Sequence, residues 1–211
     1  MILIGQYDSP FVRRVAVALR EYGLPYEHRP WSVWAQSEEV AKFSPLRRVP
    51  VLVLDDGETL VESAAILDAL DDLVGPERAL IAKSGPERRA TLRVCALATG
   101  LADKAVSLLY ERVLRPGEAR SARWMERCAK QIAEVLDLLE REREARATTG
   151  EFWFGRLTHA DVAVGCMLRF VGEAHPALLE TPTYPALRAH GARCEARPSF
   201  AAVIQALHVD V

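Results

Sequence analysis

No stretch of the chain approaches the run of about 18 apolar residues that spans a bilayer, although half of its 211 residues are hydrophobic. A membrane-embedded protein is therefore not expected. The opening residues, MILIGQYDSP, lack the long apolar core and small-residue cleavage site of a secretory signal, so the expected location is cytoplasmic. An excess of one charge is equally absent. Against 27 Lys and Arg stand 29 Asp and Glu, a net charge of −2 with the signs interspersed. Neither nucleic acid nor a membrane surface is indicated as a partner. Lysine itself is scarce, confined to Lys42, Lys83, Lys104 and Lys130, and arginine carries nearly all the positive charge. The four cysteines, Cys95, Cys128, Cys166 and Cys194, form no C-x-x-C pair and fall in apolar helical stretches. They lack the spacing of a metal or redox cluster and read as buried reduced thiols. No metal is expected.

What is present divides into two halves. ILIG reads as a short apolar strand, and Val12, Val15, Ala16 and Leu19 form a helical stripe between Pro10 and Tyr22. Gly23 ends that helix, with Pro25 just beyond. YEHRPW reads as a second strand, and a short helix follows through Val40 and Phe43. In VPVLVLDDGETLVES, Asp56–Gly57 joins two strands into a hairpin. A helix bearing Ala64, Ile66, Leu67, Leu70 and Leu73 comes next. The order βαβ then ββα is that of a compact unit of thioredoxin kind.

The segment VGPERALIAKSGPERR, with its two Gly-Pro pairs, reads as a linker. Beyond it the spacing predicts helices over 87–115, 121–146, 158–173, 184–196 and 199–207, and no strand. The expected fold is thus α/β plus all-α. A thioredoxin-like domain covers 1–75, a linker 76–86, and an all-helical domain 87–211. The run EREREAR reads as the solvated end of a helix. Trp124 and Trp153 read as core. In LTHADV, Thr158 stands as N-cap and Asp161 at N3, flanked by the staple pair Leu157 and Val162. Asp161 is therefore assigned a structural role.

Three places could carry chemistry. Ser9-Pro10 has the composition of a helix start, with serine at N-cap and proline at N1. The same geometry puts a hydroxyl at the positive end of a helix, where a thiol would meet a donor and a field that both lower its pKa. Tyr7, two residues earlier, is a rival donor. Val49-Pro50 opens a strand. If that bond is cis, the Val49 backbone faces an extended peptide-like ligand; otherwise Pro50 begins an edge strand. Glu62-Ser63 sits where a strand gives way to a helix, which suits a carboxylate as well as a cap.

In this order and spacing, SPFVRRV, SPLRRVPVL and LVESAAIL, with LTHADVAV in the helical half, resemble the cytosolic glutathione S-transferase superfamily. The resemblance covers essentially the whole chain and is closest to bacterial and plant members that use serine. It implies a homodimeric glutathione transferase with glutathione as co-substrate. Ser9, or alternatively Tyr7, would contact the glutathione sulfur and favour its thiolate. Val49, before a cis Pro50, would pair with the cysteinyl backbone. Glu62 would face the γ-glutamyl amino group and Ser63 its carboxylate. Arg48, or else Lys42, would reach the glycyl carboxylate, although Arg47-Arg48 replaces the more usual Gly-Lys. Asp103 of the partner subunit would approach the γ-glutamyl amine.

The second substrate implied is a small hydrophobic electrophile or a peroxide. Phe11, Trp34, Tyr110 and Leu114 are its candidate walls, each equally readable as core. Two other outcomes remain within the resemblance: a glutathione-binding protein of little activity, or a glutathione-dependent isomerase or reductase. Serine rather than cysteine at position 9 argues against thiol transfer.

Overall fold

The computed structural model describes residues 1–147, 150–180 and 183–209. Strand β1 (Ile2–Ile4) lies beside β2 (Glu27–Arg29) in parallel, which requires a crossover, and α1 (Pro10–Glu21) supplies it. On its other side β1 pairs antiparallel with β3 (Val51–Val53), in the register Ile4 to Val51 and Ile2 to Val53. The hairpin continues to β4 (Thr59–Val61), so the sheet order is β2-β1-β3-β4. Its turn works as the Asp-Gly pair suggests. Gly57 takes φ +92°, and Asp56 Oδ1 accepts the Glu58 amide at 2.9 Å. Strands of three residues hold only because Leu3, Ile4, Val51 and Leu52 are fully buried between helices. Between β2 and β3, α2 (Ser37–Ala41) contributes Val40 to a cluster with Ile4 and Val51. Helix α3 (Ser63–Val74) packs on α1.

Among the described residues the α-helices that follow are α4 (Gly85–Leu114), α5 (Ala122–Glu144), α6 (His159–Ala174), α7 (Ala177–Glu180) and α8 (Pro185–Glu195). A last turn, α9 (Pro198–Ala201), ends the helical part. The chain forms two compact units: Met1–Arg88 with everything from Arg197 onward, and Arg89–Ala196. That assignment differs from the expected simple split near residue 86, because the C-terminal segment belongs with the thioredoxin-like unit. The expected helix over 199–207 is also corrected to the single turn of α9. Buried Arg13 meets the chain at this point. Its guanidinium donates to the carbonyls of Phe200 at 3.2 Å and Val203 at 3.1 Å, and Phe200 O also accepts the Val203 amide at 3.2 Å.

Two further expectations change. Trp124 is 37% exposed, with the Lys104 ammonium 5.5 Å above its ring, whereas Trp153 is core. The EREREAR run is not uniformly solvated. Glu140 accepts the first amides of α8, from Ala186 and Leu187, at 2.8 Å each. Arg143 is buried and donates to the carbonyls of Arg146, Gly150 and Glu151. These charges cap neighbouring backbone, which their spacing alone does not reveal.

The four cysteines are buried thiols outside any disulfide. Cys194 lies 3.6 Å from His190 Nε2, and the same nitrogen is 3.7 Å from Asp161 Oδ1. A relay would need the two partners on opposite ring nitrogens. Burial instead raises the Cys194 thiol and drives His190 down to about 3. The unfolded chain binds a proton at His190 below its ordinary 6.5, while the folded chain stays neutral there until about 3. Stability is thus full above pH 6.5 and is lost on acidification through that window. The loss is roughly 1.4 kcal/mol for each pH unit. Urea unfolding at a series of pH values checks it: His190→Gln should flatten the slope by about one proton. An unchanged slope would place the acid sensitivity elsewhere.

Candidate functional site

The site begins where β1 ends, at Gly5. Its φ is +124°, and a Cβ there would stand 2.5 Å from Val12 Cγ2 and 2.8 Å from Val49 Cβ. Glycine thus lets the first turn of α1 and the loop before β3 close onto one strand end. The Gly5 amide donates to Arg29 O at 2.9 Å, and its carbonyl accepts from His28 Nε2 at 2.8 Å. Sequence reasoning passed over this residue. The signal was a glycine closing an apolar strand just before a helix cap.

Ser9 is the N-cap of α1, with extended φ/ψ of −66° and 123° and Pro10 at the first helical position. Its Oγ accepts the Val12 amide at 3.4 Å, a long and therefore weak cap bond. Accepting leaves the hydroxyl proton available, since a serine hydroxyl both accepts and donates. Tyr7 is placed differently. Its ring stacks on His28 with centroids 3.8 Å apart and planes 5° apart, and its hydroxyl meets that of Tyr26 at 2.9 Å. Burial, then the Tyr26 bond, push the Tyr7 phenol above its ordinary range. With Arg20, Tyr26 and His28 it lines a separate cavity of about 400 Å³. Arg20 belongs to the last turn of α1, the opposite end from Ser9.

The Val49-Pro50 bond is cis. The ladder with β1 begins at Val51, so Val49 lies beyond the last paired residue. Glu62, at the N-cap of α3, has φ +68°. A non-glycine residue held in that region costs about 1–3 kcal/mol. Its carboxylate lies 3.7 Å from the Arg48 guanidinium, both side chains being more than half exposed. Ser63, buried at the first position of α3, has its Oγ 3.5 Å from Nη1 of buried Arg14. Arginine only donates, so this contact also leaves the serine proton for another acceptor.

The structure therefore brings Ser9, Arg48, Val49, Glu62 and Ser63 toward the end of the sheet where β1 finishes, with Gly5 against Val49 and Arg14 beside Ser63. Lys42 instead pairs with Glu39 on its own helix at 2.7 Å. Arg47, at φ +53°, is held by Glu38 and Ser37. Phe11 is half-buried and Trp34 40% exposed in the first unit. Tyr110, Leu114 and exposed Asp103 lie on α4 in the second unit. Among the described residues, no group of three His, Cys, Asp or Glu could hold a metal ion. No described helix is long and apolar enough to cross a membrane.

A thioredoxin-like unit with a four-stranded mixed sheet, followed by a helical unit, defines the class. Residues 3–78 match the glutathione S-transferase N-terminal domain family, and residues 122–193 the glutathione S-transferase C-terminal domain family. A glutathione S-transferase from Methylobacterium radiotolerans, solved with glutathione sulfonate, shares the fold at a TM-score of 0.88 and is 30% identical. The match covers 100% of this chain and 97% of that one. One from Methylobacillus flagellatus, solved with GSH bound, gives 0.87 and 28%, covering 96% and 98%. Glutathione S-transferase U6 of Arabidopsis thaliana is 30% identical over 171 residues, which is 80% of this chain and 70% of that protein. The uncharacterized GST-like protein YibF of Escherichia coli K12 is 29% identical, over 81% of this chain and 82% of YibF. The chain belongs to the cytosolic glutathione S-transferase superfamily.

Proposed function

We propose that this protein is a glutathione transferase in which Ser9 stabilises the glutathione thiolate. The observation that carries the reading is the contrast between two hydroxyls. Ser9 stands at the N-terminus of α1 with its proton unused by the cap, while the Tyr7 hydroxyl is engaged by Tyr26 toward the other end. Bound glutathione would supply a thiol whose ordinary pKa is about 8.5. Bringing it down by about two units needs ~2.7 kcal/mol in favour of the thiolate. A hydrogen bond to an anion contributes roughly 1.5–3 kcal/mol and a helix terminus about 0.3–1. Together they suffice.

The other residues bind and orient. The domain 1–75 would hold glutathione, with the Val49 backbone on the cysteinyl unit. Ser63 would donate to the γ-glutamyl carboxylate at the start of α3, and Glu62 would accept from the amino group. Arg48 would take the glycyl carboxylate rather than Lys42, which Glu39 already engages. The sulfur then forms a bond to an electrophilic carbon, and the leaving group departs with the broken bond's electron pair. A peroxide is the other electrophile class considered. Of the candidates for binding this electrophile, Phe11 and Trp34 belong to the glutathione-binding unit, and Tyr110 and Leu114 to α4 of the helical unit. Asp103 of the partner subunit would complete the γ-glutamyl end in a cytoplasmic homodimer.

The test is retention on immobilised glutathione with release by free glutathione, followed by a panel of electrophiles and peroxides. Release and turnover of at least one panel member are expected. Failure to bind overturns the reading; binding with no turnover on any member would favour a binding protein.

A further inference from the structure

We propose that the C-terminal tail positions Ser9, with Gln205 as the positioning residue; the inference rests on the reading of Ser9 as the thiolate's donor. The tail is anchored to the N-terminal unit before it reaches the site. Arg197 makes a two-point ion pair with Glu21, both bonds at 2.9 Å, and Ser199 donates to the same carboxylate at 2.5 Å. Arg13 holds the Phe200 and Val203 carbonyls and lies 5.6 Å from the Phe200 ring centroid. Past buried Val203 the chain is no longer helical, and it crosses the turn that leads into α1. There Gln205 Oε1 accepts the Tyr7 amide at 2.9 Å, and the His208 amide donates to Asp8 Oδ2 at 3.1 Å. Tyr7 and Asp8 are the two residues immediately before Ser9.

Other bonds flank the turn. Gly5 is fixed by Arg29 and His28, and the Ser9 amide by Gln6 O at 3.2 Å. Between them, the Tyr7 backbone is held by a residue 198 positions away. With its ring on His28 and its hydroxyl on Tyr26, Tyr7 is held at its side chain by those residues and at its backbone amide by Gln205. The Ser9 cap bond, at 3.4 Å, is too long to fix the hydroxyl alone. Gln205 touches no reacting atom. It acts by keeping the turn, and hence Oγ, in place, where displacement of about 1 Å can cost two orders of magnitude in rate.

The experiment compares wild type, Gln205→Ala and Gln205→Glu. Glutamate keeps an acceptor oxygen at the same reach. The readouts are the pH profile of kcat/KM for the electrophile, the glutathione Kd, and the circular dichroism spectrum. Gln205→Ala should raise the apparent pKa of the bound thiol by about half to one unit, costing about threefold to tenfold in rate at mildly acidic pH. Its Kd should stay within about twofold, and Gln205→Glu should restore the wild-type profile. A Gln205→Ala profile that overlays wild type, or a loss that glutamate fails to rescue, overturns the role of the tail. A wild-type bound thiol with the pKa of free glutathione overturns the Ser9 reading itself, and is a distinguishable failure.

Discussion

Ser9→Ala is expected to cut turnover by about 10–100-fold while glutathione affinity changes by no more than a few-fold. The removed bond is one from a neutral hydroxyl to an anion, worth roughly 1.5–3 kcal/mol, and each 1.36 kcal/mol is about tenfold in rate. On the proposed reading affinity is spread over Arg48, Val49, Glu62 and Ser63, none of which the substitution touches, so it should be spared. The fold is spared too, since the cap bond being lost is 3.4 Å long. Tyr7→Phe is the matched control. It breaks the bond to the Tyr26 hydroxyl but keeps the ring on His28 and the backbone bond to Gln205 that hold the turn before Ser9, so turnover should stay near wild type. Steady-state kinetics with calorimetric glutathione binding decide between them. Turnover unchanged in Ser9→Ala but abolished in Tyr7→Phe would transfer the sulfur contact to the tyrosine.

Asp161→Ala should lower stability by roughly 3–5 kcal/mol, a fall of roughly 10 °C in Tm. The carboxylate is fully buried and accepts three bonds: Trp153 N–H at 2.7 Å, Thr158 N–H at 2.8 Å and the Thr158 hydroxyl at 2.8 Å. Removing it strands two buried amides without solvent, each a substantial penalty, and uncaps α6. Asp161→Asn should cost less, because the amide oxygen still accepts one of the two. Thermal and urea unfolding measure both, and turnover per folded molecule should be unchanged. A loss below about 1 kcal/mol would mean that the capping account of this residue is wrong.

Local chemistry is legible in the sequence. The Asp56–Gly57 hairpin, the Ser9-Pro10 helix start and Asp161 at N3 each depend on residues within a few positions of one another, and each appears where its spacing placed it. What escaped was tertiary. Nothing in the composition of α1 shows that Arg13 will be buried, because the carbonyls that satisfy it belong to Phe200 and Val203. The helix expected over 199–207 ends there as the short α9. Glu62 in a left-handed conformation and Gly5 against Val12 and Val49 are likewise demands of neighbours distant in sequence. For the site, order and spacing offered candidates and left Ser9 and Tyr7 as rivals. The proposed preference for Ser9 draws on tertiary placement, its hydroxyl at the start of α1 and that of Tyr7 against Tyr26.

The most direct measurement is an ultraviolet titration of the thiolate of bound glutathione across pH, in wild type and in Ser9→Ala. The account predicts a bound thiol about two units below the ordinary 8.5 in wild type, with most of that shift lost in Ser9→Ala. A wild-type complex that titrates like free glutathione, or a shift that survives the loss of the serine hydroxyl, would contradict it.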